Sequence, residues 1–222
     1  MTRTKLCNRI LPNYTRGEEI FNMVSHIVGG AIGIATLVLC VIISALHRSV
    51  SGVLCSVTFG ASMTLLYTTS SIYHGLRRNL AKKVFQVLDH CTIYWLIAGT
   101  YTPMMICGLA KTAPLAAWLT FGVVCALAVL ATVLTAIDLQ KYKAFSMICY
   151  VGMGWAILFS IRATYAFLGG GFWLLLGGGV AYTVGILFFK LGSRIRYTHS
   201  IFHLFVLLGS IAHALCVMFF VL

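Results

Sequence analysis

IFNMVSHIVGGAIGIATLVLCVIISALH, residues 20–47, contains no Asp, Glu, Lys or Arg. A helix needs about 20 apolar residues to cross a bilayer, and this run exceeds that length. Working outward, further uncharged windows cover 49–76, 112–137, 144–161, 163–189 and 197–222. One more, 84–110, is broken only by Asp89, and 144–161 is the tightest of the set. None alternates polar with apolar residues as the strands of a membrane barrel do. The spacing therefore predicts an all-α fold, a seven-transmembrane-helix bundle with short loops. Composition agrees: 222 residues, 60% hydrophobic and 9% charged. The mean hydropathy is +0.98. A soluble domain carries roughly a quarter charged residues, so a water-soluble globule is excluded, and intrinsic disorder with it.

The basic residues predict orientation. Arg3, Lys5, Arg9 and Arg16 precede helix 1, and Arg77, Arg78, Lys82 and Lys83 lie between helices 2 and 3. Lys141 and Lys143 lie between helices 4 and 5; Lys190, Arg194 and Arg196 lie between helices 6 and 7. Only Arg48, Lys111 and Arg162 fall on the other side. The positive-inside rule places the N-terminus in the cytosol, and an odd number of helices then places Leu222 outside. The net charge of +12 is accounted for by topology and by attraction to anionic lipid, without nucleic acid. Residues 1–19 read as a short cytosolic arm and 20–222 as the membrane domain. The first hydrophobic stretch is too long for a secretory signal. Glu18 and Glu19 suit a helix N-terminus.

Seven of eight cysteines (Cys40, Cys55, Cys91, Cys107, Cys125, Cys149 and Cys216) fall within spans, Cys7 lies in the arm, and there is no CxxC. They read as small buried residues. Gly29 and Gly33 form a small-xxx-small pair, and Gly177–Gly179 allow close approach or a local break. No Walker or dinucleotide motif is present.

Ionisable groups inside spans are functional candidates by default. Here they are His26, His74, Asp89, His90, His199, His203 and His213; His47 reads as a solvated residue at the outer loop. His74 ends helix 2, Asp89 begins helix 3, and His199 and His203 begin helix 7, so all four share the cytosolic leaflet. His26 lies at the same level, and its role is open between supporting that group and packing helices. His199 and His203, at i and i+4, share a helix face and are spaced to grip one metal ion. Ser70 and His74 also share a face. A third imidazole from His74 leaves a coordination position open for water or substrate, the pattern of catalytic zinc. Asp89 is placed to orient that water and take its proton. The competing reading is that the histidines only hydrogen-bond neighbouring helices. His213, about 15 Å further along helix 7 than His203, reads that way. His90 points away from the Asp89 face, toward lipid headgroups or a neighbour.

SSIYH (70–74), the Asp of VLDH (87–90) and HSIFH (199–203) resemble the signature of the hemolysin III proteins and the progestin and adiponectin receptors. EEIFNMVSH (18–26), GTYTP (99–103) and YVGMGW (150–155) are similar to the bacterial hemolysin III branch. The resemblance covers about residue 18 to the C-terminus. It implies a seven-helix bundle with a cytosolic N-terminus. It also implies zinc held by His74, His199 and His203, with Asp89 contacting the metal through water and Ser70 nearby. It further implies a wider group proposed to hydrolyse lipid amides or esters, with receptor relatives linked to ceramidase-like activity. Bacterial relatives are associated with haemolysis, pore formation and membrane lipid homeostasis. A short arm without a large cytosolic domain argues against a hormone-receptor role.

Three functions follow. The first is a zinc-dependent hydrolase of a membrane lipid in the cell membrane, with Asp89 and Ser70 as catalytic residues and the lipid tail in an apolar cavity between helices. The second is a zinc-clamped sensor in which the ligands join helices 2 and 7 without turnover. The third is a pore or cytolysin, which the scarcity of intramembrane charge disfavours. A retinal protein is excluded because no Lys follows Lys190, and a G-protein-coupled receptor by the charge bias.

Overall fold

The computed structural model describes residues 4–192 and 195–222. Arg3 and Arg194, counted above among the basic residues, lie outside the described residues. The chain is helical, and among the described residues seven segments are long and apolar enough to cross a membrane. The helices are α1 (Arg16–Leu46), α2 (Val50–Gly75), α3 (Leu80–Pro103), α4 (Pro114–Ile137), α5 (Lys143–Gly154), α6 (Ile161–Leu168), α7 (Gly171–Leu191) and α8 (Thr198–Phe220). Seven crossings put the two ends of the described chain on opposite faces of the bundle.

α1 begins at Arg16, inside the stretch read from sequence as arm, because Thr15 caps it. The Thr15 side chain accepts from Glu18 N, and the Glu18 carboxylate accepts from Thr15 N at 2.8 Å. Together these form a capping box. The helix then buries Asn22, Ser25, His26, Gly29, Gly33 and Thr36 and leaves Ile20, Val24, Ile27, Ile34 and Val38 exposed. Small and polar groups face the neighbouring helix while branched aliphatics face lipid, the order expected in a membrane. A Cβ at Gly29 would stand 2.5 Å from the Tyr67 ring of α2, and one at Gly33 2.9 Å from Thr64 Oγ1. The small-xxx-small pair thus seats α1 against α2.

α3 is the most buried crossing. After Pro103 it passes through a π-turn, Met104–Gly108, and a 3₁₀ turn ending at Lys111, the kind of local rearrangement that accompanies a proline in a helix. The fifth crossing is not one straight helix. α5 gives way to a 3₁₀ segment, Ala156–Ser160, and then to α6. Arg162, read from sequence as an outer-loop residue, therefore lies within α6 and is solvent- or lipid-exposed. The chain reverses at Gly169, whose φ of +52° suits glycine.

Residues 4–15 lie across one end of the bundle. Thr4 N donates to Asp138 Oδ2 at 2.8 Å and Arg9 Nη2 to Ile137 O at 3.0 Å. Arg78 reaches Leu11 O and Pro12 O, each at 3.2 Å, and Lys83 Nζ donates to Cys7 O. The arm is thereby strapped to the α2–α3 and α4–α5 connections.

Candidate metal centre

Three imidazoles meet beneath this strap. His74 is the penultimate residue of α2, while His199 and His203 occupy the first two turns of α8. Each is buried, at 3%, 7% and 2% exposure. One ring nitrogen from each lies within 4.8 Å of the others, and His199 Nε2 and His203 Nε2 are 3.1 Å apart. Two nitrogens about 2.0–2.1 Å from one tetrahedral ion would be separated by about 3.3 Å, so the spacing is that of a ligand pair.

The cluster is otherwise poorly satisfied. His74 Nε2, His199 Nδ1 and His203 Nδ1 have no hydrogen-bond partner among the described residues. Leaving a buried polar atom unpaired costs about 1–3 kcal/mol. A divalent ion bound by the three rings would satisfy the inward nitrogen of His74, and an all-imidazole donor set suits zinc and several neighbouring metals. The residues present fit such an ion.

The surroundings hold the rings in place. The His26 ring stacks on His203 with centroids 3.7 Å apart, and the Tyr14 ring stacks on His199 at 4.8 Å. Burial, with Glu19 and Asp89 beside it, pushes the Tyr14 phenol above its ordinary value, so it stays a neutral donor. Asn22 Oδ1 accepts from Ser200 Oγ at 2.7 Å, tying α1 to the His199–His203 turn. Glu18 Oε1 accepts from Tyr197 N at 2.7 Å, fixing the start of α8.

A cavity of about 950 Å³ runs from this group between α3, α5, α7 and α8. His199, His203, Asp89, Ser70 and Tyr14 line its polar end; Ile93, Leu96, Ile148 and Val206 are among its apolar walls. His213 lines it too, and His199 and His213 stand about 21 Å apart along α8. Trp155 Nε1 donates to Thr183 Oγ1 at 3.0 Å, bridging the fifth crossing to α7 beside the cavity.

The structure brings together His74, His199 and His203, and it sets Ser70 and Asp89 on the wall of the adjoining cavity. His213 Nε2 donates to Leu175 O at 3.1 Å, a bond between neighbouring helices. His90 lines the same cavity as Asp89 rather than pointing away from it, with Nδ1 donating to Gln86 O at 2.8 Å; of its two expected surroundings it meets a neighbouring helix, its ring lying edge-on to Phe189 of α7 with centroids 6.3 Å apart.

Three groups of the site do not stand out in the sequence. Tyr14 reads as part of the arm, and Glu19 as a helix-dipole residue. Lys82 reads as a cytosolic charge, yet it is 2% exposed. The one available signal was that EEIFNMVSH carries two acids where one suffices for a capping box.

The family model described as haemolysin-III related matches residues 14–214, a span that begins at Tyr14 and includes every group of the centre. Hemolysin-3 of Bacillus cereus is 38% identical over 206 residues, covering 92% of each chain. The Hemolysin-3 homolog of Bacillus subtilis is 36% identical over 208 residues, 93% of this chain and 96% of that one. Monocyte to macrophage differentiation factor of Homo sapiens is 27% identical over 163 residues, 70% and 65% of the two chains. No solved structure matches the chain. With a helical membrane bundle, a buried three-histidine cluster and relatives matched almost end to end, this chain belongs to the haemolysin III family.

Proposed function

We propose that the chain is a metal-dependent hydrolase of lipid amides or esters in the cell membrane, with a cytosolic N-terminus and a role in membrane lipid homeostasis. One observation carries the reading: the buried three-histidine cluster stands at the polar end of a long apolar cavity. His74, His199 and His203 would hold the ion, zinc by preference. When bound, such an ion supplies Lewis acidity toward a carbonyl and brings the pKa of water toward neutrality. Asp89 accepts a proton on its carboxylate and returns it to the leaving amine or alcohol. The Ser70 hydroxyl, buried on the cavity wall without a partner among the described residues, and the neutral Tyr14 phenol would each donate to a substrate oxygen. The apolar walls take the acyl chain and exclude water.

The test is hydrolysis of a fluorescent ceramide and a fluorescent lipid ester by the detergent-purified protein. Asp89→Asn should keep its metal and lose about 10²–10⁴-fold in turnover; Ser70→Ala should be milder. Full turnover by Asp89→Asn refutes the role given to Asp89.

A non-catalytic clamp is the second reading, favoured by the origin of the ligands on α2 and α8, distant in sequence. Chelation that lowers the melting temperature of a protein that cleaves neither probe supports it. The name of the Bacillus cereus relative, Hemolysin-3, raises a lytic activity. The apolar cavity walls and an arm that places Pro12 and Tyr14 on the cavity wall disfavour an aqueous path. A planar-bilayer conductance abolished by His203→Ala would restore it.

A further inference from the structure

Glu18 and Glu19 are consecutive, so their side chains leave α1 about 100° apart. The capping box occupies Glu18. Glu19 points instead to α2, where Oε2 lies 2.7 Å from His74 Nδ1. A carboxylate and a ring nitrogen at that distance share a proton carried by the nitrogen, so Nδ1–H donates. The neutral ring then presents its lone pair at Nε2. Nε2 is the His74 atom left without a partner among the described residues.

The other oxygen, Oε1, lies 2.8 Å from Lys82 Nζ. Lys82 also donates to Tyr73 O at 2.9 Å, Leu76 O at 3.1 Å and His74 O at 3.4 Å. These carbonyls end α2, where a helix leaves acceptors unsatisfied. Lys82 thus anchors both the turn that carries His74 and the carboxylate that orients its ring. A buried ammonium needs a counter-charge, and Glu19 provides it while remaining a strong acceptor. Among the described residues no carboxylate hydrogen-bonds to the His199 or His203 ring, so this support is specific to the α2 ligand.

We infer that Glu19 is a positioning residue of the metal centre: held by Lys82, its carboxylate fixes His74 with Nε2 turned toward the ion. The inference rests on the metal reading given above. Metal-ligating histidines commonly donate their second N–H to a carboxylate, and losing that partner costs about 10–100-fold in metal affinity.

The test uses the full chain in detergent, stripped of metal and titrated with zinc against a chromophoric chelator, with cobalt(II) absorption as a second readout. Glu19→Gln keeps the shape and loses the charge; about 10–100-fold weaker zinc binding is expected. At saturating cobalt its visible bands should shift, because the donor strength of His74 falls; a purely structural role leaves the loaded spectrum unchanged. Glu19→Asp is the second variant. It keeps the charge beside Lys82, and with it the fold, but its shorter stem cannot hold Nδ1, so zinc binding should also weaken. Zinc affinities and cobalt bands indistinguishable from wild type in both variants overturn the inference while leaving the metal centre standing. A wild-type chain that takes up neither ion overturns the metal reading and this inference together, and that outcome needs no variant to be seen.

Discussion

Tyr14, His26 and Tyr73 each set a ring against one of the three clustered imidazoles, with centroids 4.8, 3.7 and 4.6 Å away. Offset and edge-on aromatic contacts of this kind contribute about 0.5–1.5 kcal/mol beyond the area they bury. They also remove rotamer freedom that a ligand would otherwise lose on binding an ion. The three clustered histidines themselves were legible in the sequence. HSIFH places two imidazoles on one helix face, and the charge pattern put His74 and Asp89 at the same depth. What supports them was not legible. A stack such as His26 on His203 joins residues 177 positions apart, and no periodicity encodes it. Glu19 and Lys82 carry the charges that ordinarily mark a helix end and a membrane surface, and their pairing, with Lys82 buried and Glu19 half-buried, arises only when α1, the end of α2 and the start of α3 are packed together. Tyr14 precedes the first helix, where sequence offers no register.

At the scale of elements, the spans and their order were readable because a bilayer demands long uncharged runs. The exception is the fifth crossing, whose uncharged window of 144–161 ends before the crossing does. α6 carries Arg162 on an exposed face near its start. A charged side chain there can extend toward the interface, so the charge ended the window without ending the crossing. α1 and α2 show how close approach is achieved. Gly29→Ala puts a methyl 2.5 Å from the Tyr67 ring, and Tyr67 is fully buried, its hydroxyl donating to Ser210 Oγ at 2.8 Å. The ring cannot swing away without losing that bond. We expect Gly29→Ala to destabilise the fold by about 1–3 kcal/mol, seen as a lower melting temperature in detergent. Gly122→Ala, with nothing within 4 Å of the added carbon, is the control and should not lower the melting temperature, since Ala favours a helix interior over Gly.

Across the whole molecule, one face carries both the strap and the histidine cluster. Asp138 is the strap's anchor. Hydrogen bonds from the Thr4 N–H first, and then from the backbone of Lys141 and Gln140, hold its carboxyl at about 2, below the ordinary value of about 3.9. A depressed native pKa makes the contribution complete above the unfolded value, and it is lost as pH falls from about 4 toward 2. Protection of residues 4–15 against deuterium exchange, taken relative to the intrinsic amide rate at each pH, should therefore stay high at neutral pH and fall through that window. Asp138→Asn should lose that protection already at pH 7. Slow exchange in the variant would show that Arg9, Arg78 and Lys83 hold the arm by themselves.

The central claim is that three histidines from two helices form one metal site. Elemental mass spectrometry of the freshly purified protein, beside the His199→Ala/His203→Ala double variant, tests it most directly. The account predicts about one equivalent of zinc or a neighbouring divalent metal per chain, as a single three-imidazole centre requires, and its loss in the variant. Metal-free protein even after zinc is offered, or a variant that keeps its metal, would contradict it.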